Sequence, residues 1–240
     1  MGDTRDTGWP GASFLAHLTG RQRAELLSRG GLRHYERGDT LMDEGAAGRE
    51  VLVVLSGIVK ISTISVGGHE SVLAFRSRGD LIGEMAFVSG SPRSARVVAA
   101  TPLDARVLSE QAFAAYLDHS PAVGCKVAAA VVRKLRAANR RRAEFTACSA
   151  KARAAAVLSE TALALGSPVS GGLSIGPEIT QADLASLASV SLSTFEKALH
   201  ALERDGLVRR HRRALIVTDS AALRRRRGNC GNPQFEGSPA

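Results

Sequence analysis

The chain has 240 residues, of which 44% are hydrophobic and 4% aromatic, and its formal net charge at pH 7 is +9. This hydrophobic content suffices for one or two packed domains and excludes a wholly disordered chain. The sequence has no run of about 18 apolar residues that would cross a bilayer. Its start, MGDTRDTGWPGAS, lacks the basic and apolar segments of a signal peptide. We therefore expect a cytoplasmic protein with no membrane partner.

The residues that usually carry metal or covalent chemistry are scattered. Three cysteines (Cys125, Cys148 and Cys230) and six histidines show neither CxxC nor HxxxH spacing. This predicts no metal site and three free thiols. The sequence also lacks a nucleophile–base pair and a P-loop, so we expect a protein that is not an enzyme; an enzyme or a sensor acting on a partner protein is the competing class.

Residues 14–118 are predicted to form a β domain after a flexible segment at 1–13. Short runs such as VLVVLSGIVKISTI and SVLAF are rich in branched residues, and glycines separate them. Many short strands between glycine turns are typical of a rolled antiparallel structure. Ahead of them, TGRQRAELL predicts a small helix, because Thr19 and Gln22 have capping-box spacing.

A long helix is predicted over residues 119–145. Val123, Val127, Val131 and Leu135 form an apolar stripe at i, i+4 spacing. Two interpretations stay open: the stripe packs against the chain's own β domain, or it forms the seam of a two-helix dimer. A further helix is predicted in SAKARAAAVLSETALAL, followed by a Gly/Ser/Pro-rich connection at 166–177.

Residues 146–223 are predicted to form a domain with a helix-turn-helix. Thr180 and Asp183 have capping-box spacing, and Ser191 can cap a second helix that ends before Gly206. The turn carries Ser189 where a glycine would be easier. LVRR and ALIV then predict a hairpin with the basic tip HRR. Residues 224–240 have little to bury and are predicted to be a disordered basic tail.

Positive charge is concentrated in the second half, in RKLRAANRRR and in residues 209–227. Basic runs that flank a helix-turn-helix favour a nucleic-acid partner, with the second helix in the major groove. An ordinary helical hairpin packed on two strands is the alternative. The candidate DNA-binding residues are Thr180, Gln181, Ser191, Leu192, Ser193, Thr194, Lys197, His200 and Arg212.

The segment GDLIGEMAFVSGSPRSARVVA contains two charges, Glu84 and Arg93, each next to hydrophobic residues. A lone charge in such surroundings is costly. Either the two side chains neutralise each other, or a polar group lies between them.

Several blocks occur in an order and spacing that carry a resemblance over residues 14–223: YERGDTLMDEG, VLVVLSGIVKI, GDLIGEMAF with GSPRSARV, the long helix, and ITQADLASLASVSLSTFEKAL. The chain resembles the cyclic AMP receptor/fumarate-nitrate reductase regulator (Crp/Fnr) family of bacterial transcription regulators. The resemblance implies an α+β fold with a cyclic-nucleotide-binding β-roll, a long dimerisation helix and a C-terminal winged helix-turn-helix. It also implies a homodimer on a two-fold symmetric DNA operator, with RNA polymerase as a further candidate partner.

The resemblance makes the segment around Glu84 a phosphate-binding cassette. Arg93 would bind the cyclic phosphate with its planar fork, and Glu84 would accept a hydrogen bond from the ribose 2′-OH. Lys134 stands where the family has an arginine that contacts the cassette glutamate. The implied ligand-binding residues are Gly83, Glu84, Met85, Ala86, Arg93, Ser94, Lys134, Ala138 and Asn139.

The identity of the ligand depends on positions where this sequence departs from the family pattern. Ala138 and Asn139 stand where the cyclic AMP receptor has a Thr and a Ser that contact adenine. We favour cyclic AMP (cAMP) over cyclic GMP (cGMP). The alternative is a regulator of the same fold that binds no cyclic nucleotide, with Glu84 and Arg93 in a direct salt bridge.

The recognition helix departs from the pattern as well. Leu192, Ser193 and Lys197 replace an Arg-Glu pair and a later Arg of the best-known member. Leucine cannot make the bidentate contact with guanine. The sequence therefore predicts a different preferred operator.

Overall fold

The computed structural model describes residues 9–65 and 67–228. The chain divides into two compact units, with the boundary between Ala138 and Asn139. We call them unit 1 and unit 2 and describe each by itself.

Unit 1 starts with a short segment that packs on the β domain. Ser13 is buried, and the Arg78 guanidinium lies 4.2 Å from the centre of the Trp9 ring. The flexible segment predicted at 1–13 is therefore wrong for residues 9–13, and residues 1–8 lie outside the described part of the chain. Helix α1 (Gly20–Ser28) follows, and the capping box of Thr19 and Gln22 is confirmed.

Two antiparallel four-stranded sheets form the β-roll of unit 1. Their strand orders are β1-β8-β3-β6 and β2-β7-β4-β5. Buried apolar side chains lie against both sheets, because most strands consist largely of Val, Ile, Leu and Ala. The strands are β1 (Gly31–Tyr35), β2 (Thr40–Met42), β3 (Val51–Val54), β4 (Ile58–Ile64), β5 (Glu70–Ser77), β6 (Leu81–Ile82), β7 (Arg96–Ala99) and β8 (Leu103–Leu108).

Three further helices complete this part of the chain: α2 (Glu84–Ser89), α3 (Glu110–His119) and α4 (Pro121–Ala147). Helix α4 is the long helix predicted at 119–145. Of the predicted stripe, Val123 and Val127 belong to the core cluster of unit 1, Val131 is half-buried and Leu135 is exposed; Val132, which lies outside the stripe, is exposed as well. The first half of the predicted stripe thus packs against the chain's own domain, and the second half presents apolar side chains at the surface.

Unit 2 contains the rest of α4, then α5 (Ala150–Leu165), β9 (Ser167–Val169) and β10 (Gly172–Ile175). Strands β9 and β10 pair with each other, so the predicted connection at 166–177 is wrong: it is a hairpin. Gly171 lies in the turn of this hairpin with φ 87°, and Gly172, the first residue of β10, has φ 146°. A Cβ on Gly172 would lie 2.1 Å from the Val217 carbonyl oxygen, so this glycine allows β10 to lie close to the strand that contains Val217.

The remaining elements of unit 2 are α6 (Gln181–Leu187), α7 (Leu192–Arg204), β11 (Val208–His211), β12 (Ala214–Val217) and α8 (Ser220–Gly228). The sheet order is β11-β12-β10-β9. Helix α8 is tied to α5, because Leu223 is fully buried and Ser159 Oγ donates to the Ser220 carbonyl at 2.9 Å. The disordered tail predicted from residue 224 is therefore wrong for 224–228; residues 229–240 lie outside the described part.

The thiols differ in state. Cys125 is free and exposed, whereas Cys148 is disulfide-bonded, so the prediction of free thiols is wrong for Cys148. Cys230 lies outside the described residues.

Candidate functional sites

The first candidate site, in unit 1, is built around the start of helix α2. Gly83 precedes the helix with a left-handed φ of 86°. A Cβ here would lie 2.6 Å from Arg93 Nη1 and 2.7 Å from the Glu50 carbonyl oxygen. Only glycine fits both this backbone conformation and this close approach. The Gly-Glu pair thus brings the start of α2 against the Arg93 side chain.

Glu84 is the first residue of α2 and is 1% exposed. Lys134 Nζ of helix α4 donates to Glu84 Oε1 at 2.7 Å and to the Leu81 carbonyl oxygen at 2.9 Å. The contact expected between Lys134 and Glu84 is therefore present. Because an unpaired buried carboxylate is strongly unfavourable, this amine is what allows Glu84 to occupy its position.

Burial perturbs the groups around this pair. Desolvation lowers the pKa of Lys134, although the charge of Glu84 opposes that shift. Desolvation also raises the pKa of Asp80, whose carboxylate accepts a hydrogen bond from the Ser77 amide. A cluster of mutually dependent charges therefore joins α2 to α4.

Arg93 is held by a different set of partners. Its side chain is 3% exposed, with Nη2 3.1 Å from Glu50 Oε1. Nη1 donates to the Gly83 carbonyl oxygen at 3.0 Å, and Nη2 donates to the Glu50 carbonyl oxygen at 2.8 Å. Its backbone bonds to the loop before β3 in both directions: Gly45 N donates to Arg93 O, and Arg93 N donates to Ala46 O. The guanidinium is therefore fixed and neutralised within the domain.

The two charges of the cassette have separate partners among the described residues. Glu84 pairs with Lys134, and Arg93 pairs with Glu50. The direct Glu84–Arg93 salt bridge considered from the sequence is therefore wrong. Sequence reasoning missed Glu50, which is 43 positions from Arg93; the one signal was a carboxylate directly before the buried strand VLVV.

The other predicted ligand residues differ in exposure. Met85 and Ser94 are exposed, whereas the Ala86 side chain is buried. Ala138 and Asn139 are exposed on α4, with Ala138 ending unit 1 and Asn139 starting unit 2.

The second candidate site is the helix-turn-helix of unit 2. Thr180 Oγ1 accepts from the Asp183 amide at 3.1 Å, and Asp183 Oδ2 accepts from the Thr180 amide at 3.0 Å. Ser191 Oγ accepts from the Thr194 amide at 3.2 Å. Both predicted helix starts are confirmed. Ser189, in the turn, has a left-handed φ of 52°, the conformation that made a glycine the easier choice.

Helix α7 has two distinct faces. Phe195, Ala198, Leu199 and Leu202 are buried, while Leu192, Ser193, Lys197 and His200 are exposed. Glu196 is exposed as well and was not among the predicted residues; its charge disfavours a nearby DNA phosphate. His200 Nδ1 lies 3.4 Å from Glu203 Oε2, so this imidazole has a partner within the helix.

The predicted hairpin after α7 is confirmed as β11 and β12, with His211 paired to Ala214. Arg212 and Arg213 form its exposed tip, and Arg212 has a φ of 54°. Of the other predicted residues, Thr180 is exposed and Gln181 is half-buried. A basic tip beside an exposed helix suits the DNA backbone.

Among the described residues, no group of three or more His, Cys, Asp or Glu side chains is placed to hold a metal ion. None of the helices in 9–65 and 67–228 combines the length and apolarity that a membrane span needs.

A rolled β domain, followed in the same chain by a helix-turn-helix and a β-hairpin wing, is typical of one class of DNA-binding transcription regulators. Comparison with known families agrees: residues 32–120 match the cyclic nucleotide-binding domain, and residues 152–226 match the Crp-like helix-turn-helix domain.

Known proteins that the chain matches over most of their length show which family within this class it belongs to. The chain is 30% identical over 191 residues to the cyclic AMP receptor protein of Thermus thermophilus, covering 80% of this chain and 85% of that protein. It is 27% identical over 192 residues to a CRP-like cAMP-activated global transcriptional regulator of Mycobacterium tuberculosis, covering 80% and 86%. FixK2 from Bradyrhizobium japonicum has the same fold, with a TM-score of 0.71 at 20% identity, covering 81% of this chain and 96% of that one. The chain belongs to the Crp/Fnr family: it is a DNA-binding transcription regulator with a cyclic nucleotide-binding domain.

Proposed function

We propose that this regulator is a homodimer whose DNA-binding state is controlled by cAMP. The observation that carries the proposal is the buried Arg93 guanidinium, 3.0 Å from the carbonyl oxygen of Gly83, the residue directly before Glu84. A phosphate at Arg93 and a ribose hydroxyl at Glu84 are then adjacent positions, as one cyclic nucleotide requires. The two relatives above are named for cAMP.

The proposed role of each residue follows from its chemistry. Arg93 pairs with the charge of the cyclic phosphate, and the exposed Ser94 donates its hydroxyl to the same phosphate. Gly83 and the first backbone amides of α2, including those of Met85 and Ala86, border that phosphate. Glu84 accepts a hydrogen bond from the ribose 2′-OH, while Lys134 balances the charge of Glu84.

Ala138 and Asn139 are assigned to the base, where the Asn139 amide can pair with a purine edge. Cyclic GMP is the competing purine ligand.

The exposed part of α4 supports a homodimer. Val132 and Leu135 are large apolar side chains at the surface of a long helix, which favours a second copy as the partner. Ligand binding acts as a population shift between two arrangements of the DNA-binding domains, and its size is limited by the ligand's differential affinity for them. Two recognition helices about 34 Å apart would then meet successive major grooves of a two-fold operator.

On DNA, we assign base contacts to Ser193, Lys197 and Leu192, with Leu192 on a thymine methyl group. Thr180, Gln181, Ser191, Thr194, His200 and Arg212 are assigned to the backbone or groove edge. The preferred operator therefore differs from that of the best-known family member. The protein would act in the cytoplasm without catalysing a reaction, with RNA polymerase as a partner.

The test is a calorimetric titration of the full chain with cAMP and with cGMP, alongside Arg93→Ala and Arg96→Ala. Arg96 follows in the same segment and pairs instead with the exposed Asp43 at 3.7 Å, which makes it the matched control. We expect cAMP to bind the wild type and Arg96→Ala but not Arg93→Ala. Operators are then selected from random duplexes, with fluorescence anisotropy read with and without ligand. If cAMP does not bind the wild type, the proposal fails.

A second candidate function rests on Glu50. Because this carboxylate already neutralises Arg93 at 3.1 Å, the domain is complete without a ligand. A regulator of this kind would bind its operator equally well with and without cyclic nucleotide, and the anisotropy measurement separates the two.

A further inference from the structure

The geometry points to Glu50 as an internal counter-ion of Arg93, which the phosphate of an incoming ligand must displace. Glu50 then sets the ligand affinity of the domain: its carboxylate and the ligand phosphate compete for one guanidinium. The inference rests on the proposed function for the identity of the ligand, but the competition itself concerns any phosphate monoanion that reaches Arg93.

Glu50 is placed by the strand that follows it. Strand β3 (Val51–Val54) is buried along its whole length, which fixes the backbone of the residue before it. The Glu50 carbonyl oxygen accepts from Arg93 Nη2 at 2.8 Å, while the Glu50 side chain remains 41% exposed. The backbone of Glu50 is therefore held in place, and its carboxylate can rotate into solvent without unfolding of the strand that follows.

The orientation of Arg93 does not depend on that carboxylate. Both terminal nitrogens donate to carbonyl oxygens, Nη1 to Gly83 and Nη2 to Glu50, and the Arg93 backbone is bonded to Gly45 and Ala46. What the carboxylate adds is charge. A side chain that is 3% exposed needs a counter-ion, and Glu50 provides one within the domain.

Phosphate binding changes this balance. A cyclic nucleotide brings one negative charge, so the carboxylate and the phosphate together would place two anions on one cation. Like charges at such short range disfavour each other, and the weaker partner leaves. The neighbouring backbone accommodates the carboxylate: a Cβ on Gly48 would lie 2.8 Å from Glu50 Oε2 and 3.4 Å from Arg93 Nη2. The glycine thus leaves room for Glu50 beside Arg93.

The test is the sign of the effect of Glu50→Gln, which keeps the shape and removes the charge. The matched control is Glu110→Gln: that carboxylate is 44% exposed and lies 3.2 Å from Arg49, the residue next to Glu50. In calorimetry at low salt, Glu50→Gln should bind cAMP about tenfold more tightly than the wild type, and Glu110→Gln within about twofold. Unchanged or weaker cAMP binding by Glu50→Gln would overturn the inference, because Glu50 would then have no effect on cAMP binding or would favour it.

A second measurement separates this inference from the proposed function. Inorganic phosphate is added to the wild type and to Glu50→Gln, and the midpoint of thermal unfolding is recorded. We expect a larger rise for the variant. If no cyclic nucleotide binds either protein but phosphate stabilises the variant more, the proposed function fails and the competition stands. If phosphate raises both midpoints equally, the competition is refuted.

A second variant covers the case in which Glu50→Gln does not fold. Glu50→Asp has a shorter reach to Arg93 and should still bind cAMP more tightly than the wild type. Binding no tighter than that of the wild type refutes the inference.

Discussion

The two units use charged residues in opposite ways. In unit 1 the charges of the candidate site are buried and paired: Glu84 with Lys134, and Arg93 with Glu50. In unit 2 Leu192, Ser193, Lys197 and His200 are exposed on one face of α7, while its other face is buried in the core. A buried site ties function to stability, whereas an exposed site separates the residues that fold from those that bind.

The largest expected effect tests whether the two units depend on each other. Phe195 is fully buried in unit 2, so Phe195→Ala leaves a cavity and should lower the free energy of unfolding by about 3–5 kcal/mol. We expect loss of DNA binding with cAMP binding retained. Urea unfolding followed by circular dichroism, together with calorimetry, gives both quantities.

The reciprocal change in unit 1 is Phe113→Ala, at an equally buried ring. It should remove cAMP binding at a similar cost in stability. If Phe195→Ala abolished cAMP binding as completely as Phe113→Ala does, the separation of the two units would be wrong.

The next largest effect measures how much burial increases the contribution of an ion pair to the free energy of unfolding. Lys134→Met leaves Glu84 buried without its cation and should cost about 2–4 kcal/mol, since breaking a buried pair is far more unfavourable than breaking an exposed one. Lys60→Met is the matched control. Lys60 is also 22% exposed and lies 2.9 Å from Glu70 Oε2, but the Glu70 side chain is 43% exposed.

For that control we expect a loss below about 1 kcal/mol. Lys134→Arg should recover most of the stability, because it restores a cation opposite Glu84. Equal losses for Lys134→Met and Lys60→Met in urea unfolding would show that burial of the carboxylate does not matter.

The same contrast explains what could be predicted from the sequence. In unit 2 the capping box of Thr180 and Asp183, the cap at Ser191 and the hairpin tip at Arg212 are local patterns, and a pattern within a few residues reports directly on the backbone. The hairpin at Gly171 was missed because consecutive glycines suit a linker as well as a tight turn. Such errors are confined to short segments.

In unit 1 the missed partner is remote in sequence. Gly83 and Lys134 were both identified through the family resemblance, Lys134 as the partner of Glu84. The pairing of Arg93 with Glu50 depends on which loop the folded sheets bring beside the cassette, and no local pattern encodes that register. The elements were therefore predictable and the charge partners were not.

A smaller effect concerns the turn of the helix-turn-helix. Ser189 has a φ of 52°, which glycine adopts without strain, so Ser189→Gly should stabilise unit 2 by about 0.5–1 kcal/mol. Ser189→Ala keeps a Cβ in the same conformation and should bring no gain. The comparison is made by urea unfolding; equal stability of the two variants would mean that the left-handed backbone is not strained.

The smallest effect lies at an exposed charge cluster of unit 1, where pairing should change a pKa and little else. His34 Nδ1 lies 2.9 Å from Asp104 Oδ1, and this hydrogen bond raises the pKa of His34 above 6.5, with Glu36 adding to the shift. A histidine with a raised pKa stabilises the fold fully below its unfolded value near 6.5, and the contribution is lost as the pH rises through the folded pKa. In an NMR titration, Asp104→Asn should return the titration midpoint of His34 toward 6.5.

His17 is the internal control for this titration. Burial lowers the pKa of His17, with further lowering by the charges of Arg133 and Lys126, and its midpoint should not move in Asp104→Asn. If both midpoints shifted together in Asp104→Asn, the variant would have changed the domain as a whole, and even the exposed pairs of unit 1 would be coupled to its core.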